Sequence, residues 1–528
     1  MPVPTALPLS DKSGVGPLGA IPLLIFACDP TTITPVRDST VVKQRSNKNP
    51  SLWGRVLPAA YALVASVSAQ APELRHEPDA FLNQQRAVEE RLRTEFDAQM
   101  GTAGKAAFDW GGWYTFNLFV FDDGVESSRT LRRNDLRLWG RLTLDHGAHE
   151  FYARTRLSFL DFNHGDSYDG NEDDVEGPNL ERGFYRFDLA KALSAAGTGA
   201  TGSLLPVPND PNLVFTAGRD LVQFGTGLSL AAPLDHVSLR GVYHDFELTT
   251  LAGKTVGSSD DFDLSRSATR TRRNFLGGQL KYLGFDRHQP FAYVLWQRDQ
   301  NREARFHPFQ RFDYDSFYSG LGSTGELTQR LRYETEWVYE GGESFGDGRF
   351  VRRDEIDAWA LRAELEYLFR GDHKPRASIE YLFGSGDSDR LGSPTNTIGG
   401  NRGDFSDNSF VGFGFHDTGL SFAPRYSNLH MWRVGGSFYP WPGQQRLRRL
   451  ELGTDWYLYQ KHHASAAVSD PTANVGSGYL GWEMDYYVNW RVTSDLAWTA
   501  RLGAFFPGEA FDDRTTRTFL LLGAVWSF

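Results

Sequence analysis

The stretch that most limits what this chain can fold into is its last strand. From Phe519 to Phe528 every residue except Gly523 and Ser527 is apolar. Period-two spacing puts Leu520, Leu522, Ala524, Trp526 and Phe528 on one face and Phe519, Leu521, Gly523, Val525 and Ser527 on the other. One face is thus a continuous apolar stripe that ends in two aromatics, the residue type that settles where hydrocarbon meets water.

Such a stripe resembles the C-terminal signal of bacterial outer-membrane β-barrels, so Trp526 and Phe528 are expected to be the assembly signal read by the barrel-assembly machinery. Composition agrees. Mean hydropathy is -0.43 and 23% of residues are charged, and no run approaches the ~18 apolar residues of a spanning helix. Aromatic content is nevertheless 14%, which suits a barrel with a polar lumen and aromatic girdles. The expected fold is all-β: a transmembrane antiparallel barrel of about 18 strands, with short periplasmic turns and long extracellular loops. A large soluble propeller or sandwich is the alternative.

The N-terminal part argues against that alternative. A basic region ends at Arg55, an apolar core runs from Val56 to Val67, and small residues lead to a cleavage point after Ala69, the layout of a secretory signal peptide. Residues 41–69 are therefore expected to be the signal, and residues 1–40 an untranslated or unstructured leader, with Val41 or Val42 as a candidate start. The sole cysteine, Cys28, lies upstream of the cut, so no disulfide is expected, and its surroundings match a lipobox poorly. Residues 70–109 read as a periplasmic segment. Phe81, Val88, Leu92 and Phe96 give it a short helical period over residues 79–99. The barrel is expected over residues 110–528. Cleavage leaves 49 basic against 63 acidic residues, a net charge of -14. That balance argues against a nucleic-acid partner.

Strands alternate with short connections, such as His146–Ala148 and Ser494–Asp495, and long ones, such as Asn163–Pro178 and Ser385–Leu429. The segment Ala192–Asn212 is long on the side where turns should be short. Alternation sorts the charges. It places Arg137, Arg141, Arg154, Arg156, Arg186, Arg240, Arg332, Arg362, Arg376, Arg433, Arg491 and Arg501 inward, with Glu334, Glu336, Glu364, Glu366, Glu380, Glu451, Asp455, Glu483 and Asp485 on the same face. A lumen lined with both signs is expected to hold water and not to be a dry core. Inward charges can merely brace the wall, but so many guanidinium groups suggest a conduit for an anionic solute. In that reading Glu364, Glu483 and Asp485 share the conduit with the arginines.

Several stretches resemble the alginate-export family of outer-membrane barrels. These are GRDLVQFGTG from Gly218 and Arg219, SGD at Ser385–Asp387, FVGFGF from Phe410, GxExD at Gly481, Glu483 and Asp485, and GAFFPGEAF from Gly503 through Pro507 and Gly508 to Phe511. The likeness spans about Trp110 to Phe528. It implies an 18-stranded monomeric barrel passing an anionic exopolysaccharide outward through an Arg-lined constriction, with periplasmic export scaffold proteins as possible partners. The chain departs from that family's best-known members in one respect. The turn before the GxFxPG strand is only about Ser494 and Asp495, so a gate is expected elsewhere, in the Ala192 segment or the helix at 79–99.

Enzymatic and metal chemistry find little support. HExxH and CxxC are absent. The acidic loop from His164 lacks the Gly and distal Glu of an EF-hand, and the adjacent His462 and His463 point apart. No cofactor or metal is expected. Three functions stay open at this point: polysaccharide export, a general or solute-specific diffusion porin, and a surface adhesin or enzyme.

Overall fold

The computed structural model describes residues 106–122, 128–167, 172–195, 211–257, 271–300, 313–345, 353–390 and 405–528. The signal peptide, Cys28, the helix expected over 79–99 and most of the Ala192–Asn212 segment lie outside them. Of that last segment the structure shows its beginning, a short helix at Leu189–Ala195.

Eighteen long strands, from Ala106–Phe121 to Arg517–Ser527, form one antiparallel sheet in which each pairs with its chain neighbours. The sheet closes when the last strand pairs with the first, with Trp113 opposite Ser527 and Phe121 opposite Phe519. Phe528 completes the seam: its N–H donates to Gly112 O at 2.9 Å and its carbonyl accepts from Gly112 N at 3.0 Å. Closure leaves no strand edge, and in hydrocarbon that matters because an unpaired backbone group there costs several kcal/mol, roughly. A nineteenth, two-residue strand at Ser406–Asp407 runs parallel to Glu355–Ile356 and belongs to a loop.

Outward faces follow the period-two pattern. On Arg353–Leu368 the outward Trp359, Leu365 and Tyr367 are exposed, while Ile356, Ala358, Ala360 and Arg362 on the other face are buried. On the last strand Leu522 and Trp526 face out and Phe519 and Leu521 are fully buried inside. Short hairpins such as Asp145–Gly147 and His244–Asp245 mark the periplasmic end, long connections the extracellular end.

The expectation that the lumen is no dry core needs correction, because its outer half holds a buried apolar cluster. Residues 405–428 do not project outward but fold back into the barrel, where Phe410, Val411, Phe422 and Tyr426 join inward wall residues Tyr318, Met431, Tyr459 and Phe505 in one buried cluster. Leu420 packs on the opposite wall against Phe119, Phe121, Leu131, Phe162, Phe519 and Leu521. The physical reason is plain in those names: near the extracellular end the inward positions are aromatic and aliphatic. Such a surface needs an apolar partner, and the loop supplies it.

Candidate functional site

Mid-height on the inner wall, charges are woven into two networks. On the wall formed by Arg129–Leu144, His149–Phe162 and Asp174–Asp188, Glu181 receives Arg154 Nε at 2.8 Å and Arg137 Nε at 3.1 Å, with Arg156 Nη1 at 3.8 Å. Asp135 holds Arg133 at 3.1 Å and Arg137 at 3.3 Å. Arg154 also lies over the Trp113 ring, 5.3 Å from its centroid. Glu181 reaches the lumen because of a register shift: Arg154 pairs with Arg182, but Thr155 pairs with Leu180. This bulge turns both Glu181 and Arg182 inward. Strict alternation would miss Glu181, since the period of two breaks at that residue.

The second network lies on the strands Leu331–Phe345, Arg353–Leu368, Arg376–Gly384 and Leu429–Phe438. Arg362 binds Glu334 at 2.7 Å, Glu380 at 2.5 Å and also Glu364. Arg433 binds Glu380 at 2.8 Å and Glu364 at 3.1 Å, and reaches Asp417 of the inward loop at 3.7 Å. These arginines are nearly enclosed by their carboxylates.

Toward the periplasmic mouth the arrangement changes. Arg240, Arg332 and Arg376 have side chains 53%, 54% and 44% exposed, whereas their acidic neighbours Glu247, Glu366 and Glu451 are 17%, 24% and 15% exposed. Most of these cations stand forward of their acidic partners, although Glu326, 3.7 Å from Arg332, is itself 39% exposed, so the surface offered to a solute is weighted toward positive charge. Arg186 repeats the pattern against Glu150, and Arg141 against Asp109 reverses it. Arg491 and Arg501 also face inward, the latter 5.5 Å from the Tyr487 ring centroid.

Above these networks, three inward glutamates hold the folded-in loop and its neighbouring hairpin. Glu483 Oε1 accepts the N–H groups of Leu420 at 2.7 Å and Ser421 at 2.6 Å, and Oε2 accepts that of Phe422 at 3.0 Å. Glu340 accepts Val411 N–H at 2.7 Å and the Tyr314 and Tyr318 hydroxyls. Glu336 accepts Thr226 N–H at 2.6 Å and the Tyr293 hydroxyl. Three successive N–H groups around one carboxylate form an anion nest. Here the carboxylate belongs to the wall and the nest to the loop, so Glu483 serves as a tether. Glu340 sits on the same alternating face as Glu334 and Glu336, so the pattern that identified those two also carries it.

The scattered sequence motifs meet at this loop. Ser385 O accepts Phe410 N–H and Asn428 N–H at 3.0 Å each, closing the loop at its base. Phe413 bonds in both directions with the hairpin that follows Gly218 and Arg219, through Ser229 O and Ala231 N. Phe505 of the GAFFPGEAF stretch stacks on Phe422 with centroids 4.4 Å apart. Gly503 faces Asp485 across the pair of strands, and a Cβ at Gly503 would come within 2.8 Å of Leu420 Cβ and Ser421 Oγ. Glycine there makes room for the loop. Gly218 has φ +137° and backs onto Phe184, an approach that no other residue makes without strain. Pro507 and Gly508 end their strand, with Gly508 N–H on Leu480 O.

Two titratable groups ride on the loop. Burial, reinforced by Arg362 and Arg433 and only partly opposed by Glu380, pushes the His416 imidazole down to about 3. Burial pushes the Asp387 carboxyl up to about 6 against the hydrogen bonds from Asn408 and Asp389. In the acidic loop near His164, Asp166 and Asp173 accept the N–H groups of Thr130 and Phe162, a structural use of acids that a cation would otherwise compete for. His462 Nδ1 accepts Gly386 N–H at 3.2 Å.

A family model described as alginate export matches residues 260–523, half of the chain. The match takes in the loop and both C-terminal motifs, while the Gly218 motif lies before it. The barrel is similar to the crystal structure of OccK5 (OpdH) from Pseudomonas aeruginosa, at 12% identity and TM-score 0.52 over 81% of this chain and 99% of that one. It is similar also to a BenF-like porin from Pseudomonas fluorescens Pf-5, at 11% identity and TM-score 0.50 over 81% and 100% of the two chains. At such identity the likeness is one of fold. No protein of curated function matches the chain.

Proposed function

Because the chain belongs to the alginate-export family of outer-membrane barrels, we propose that it carries an anionic exopolysaccharide, alginate-like in its carboxylates, from the periplasm to the cell surface. The family and the fold are those of transport barrels. The observation that supports the anionic cargo is the stance of Arg240, Arg332 and Arg376, whose guanidinium groups stand forward of their carboxylate partners at the periplasmic mouth. A polyuronate entering there meets exposed forked donors that match its carboxylates, and exchanging one contact for the next lets the chain advance. The buried ion-pair networks around Glu181 and Arg362 brace the wall above the vestibule. The loop tethered by Glu340 and Glu483 occupies the outer lumen and must shift before a polymer can pass.

A second reading is a porin for small anions. It draws support from the fold, which is similar to that of a BenF-like porin. Deleting the gene in its native host separates the two. Polymer export predicts loss of extracellular uronate and its accumulation in the periplasm. Undiminished secretion, with slower uptake of small organic anions, would favour the porin.

A further inference from the structure

The outward face carries a feature that transport through the lumen does not use. Five residues lie directly opposite one another on successive strands: Arg219 pairs with Asp235, Asp235 with Lys254, Lys254 with Asn274, and Asn274 with Arg298. All five alternate with buried inward neighbours and so face the membrane side. At about 4.8 Å per strand the row runs about 19 Å around the barrel. Lys254 and Arg298 are each the penultimate residue of a strand that leads into a long connection, and Asn274 the second of the strand that follows one. The row therefore marks the extracellular edge of the lipid band. Two residues below it the outward side chains are apolar and exposed: Val237, Leu276 and Trp296.

Three cations face one carboxylate in this row, and that carboxylate is engaged. Arg219 clamps Asp235 through Nε at 2.7 Å and Nη2 at 3.1 Å, while its Nη1 donates to Leu180 O at 2.8 Å. Three of its five N–H donors are thus used and two remain. The Lys254 and Arg298 side chains are exposed and, among the described residues, have no partner. Beside the clamp an open recess of about 460 Å³ is bounded by Leu180, Gly183, Arg219, Asp235, Val237 and Ala252. Arg219, Asp235 and His236 give it a polar lining and Leu180, Val237 and Ala252 an apolar one. On the following strands the rim carries Asp315, Glu343 and Glu355, with Arg353 paired to the first two.

We propose that this row binds a bis-phosphorylated glycolipid of the outer leaflet, with Lys254 and Arg298 on its phosphates, Arg219 completing the cationic rim, and an acyl chain in the recess beside Val237. Unpaired cations at the edge of hydrocarbon favour an anionic headgroup. Lys254 and Arg298 stand two strands apart, about 10 Å, a spread that suits two phosphates on a disaccharide better than the single phosphate of a glycerolipid. The apolar sides of the recess suit a chain that descends from that headgroup.

The test uses the full barrel in nanodiscs, offered lipid A, dephosphorylated lipid A or phosphatidylglycerol, with the retained lipid read by native mass spectrometry. Lipid A should be retained in preference to both others. Lys254→Gln with Arg298→Gln should reduce its retention about tenfold and leave the heat-modifiable fold intact, because neither side chain holds another part of the protein. Asp235→Asn, which removes the competing carboxylate, should increase retention. Equal retention of lipid A and phosphatidylglycerol, or undiminished lipid A on the folded double variant, would overturn the site.

Discussion

Glu483 on the inner wall accepts the backbone N–H of Leu420 at 2.7 Å, and through this bond a strand of the barrel holds a loop across its own lumen. The neighbouring N–H groups of Ser421 and Phe422 share the same carboxylate. Hydrogen bonds to a charged group are worth about 1.5–3 kcal/mol each. Glu483→Gln keeps the shape and loses the charge, so the loop should leave its seat more often while the strand ladder stays intact. Single-channel recording should show longer or larger openings, and limited proteolysis should cut residues 405–428 sooner. An unchanged current would mean that the tether does not control the path.

Gly503 approaches the same loop from the adjacent strand. A valine there would place methyl groups where Leu420 Cβ and Ser421 Oγ now lie, at 2.8 Å from the Cβ position. Overpacking of this kind costs about 1–3 kcal/mol, and moving the loop relieves it most easily. Gly503→Val should therefore raise conductance as Glu483→Gln does. Combining the two should add little, since both act on one contact.

Acidity should move the loop through two groups of opposite sign. His416, seated among Arg362, Arg433, Glu380 and Tyr426 with Asp417 beside it, is held down to about 3. A loop out of its seat regains the ordinary imidazole value of about 6.5. Between these values the seated loop binds fewer protons, so its seating is full above the ordinary value and is lost as pH falls through the window. Asp387, raised to about 6 by burial, works the other way: below that value the seated form is the one that gains the proton. In an Asp387→Asn background, current should rise as pH falls from about 7.5 to about 5, and adding His416→Gln should flatten the response.

Legibility in the sequence followed chemistry. The barrel was readable because lipid on one side and a lumen on the other impose a period of two, and Leu520 to Phe528 display it without interruption. The inward arginines were readable for the same reason. Glu181 was not, because the bulge between Thr155 and Arg154 adds a residue that the period does not count. The inward fold of residues 405–428 was hidden too. A loop has no periodicity to give it away, and its partners are spread over strands from Phe119 to Phe505. A sign of it was present in the aromatic content of FVGFGF, unusual for a solvated loop, and in the apolar inward ends of the first and last strands. The motifs lie far apart in the sequence, and only the fold reveals that they converge on one loop.

The arginines should divide into two classes on substitution. Arg362 is buried against Glu334, Glu364 and Glu380, and removing it strands carboxylates at a cost of about 3–5 kcal/mol. Arg362→Gln should lower the urea midpoint of the refolded barrel. Arg332, more than half exposed, should yield a variant of near wild-type stability and altered selectivity. Equal destabilisation by both would contradict the distinction between bracing and presenting arginines.

The most direct measurement is block of ionic current by oligouronates added to the periplasmic side of the barrel in a planar bilayer. The forward stance of Arg240, Arg332 and Arg376 predicts an anion-selective pore that oligouronates block and neutral oligosaccharides of equal length do not. Replacing the three with Gln should weaken block about tenfold. A pore that neutral and anionic oligosaccharides block alike, or whose oligouronate block survives the triple substitution, would contradict the anionic-polymer conduit.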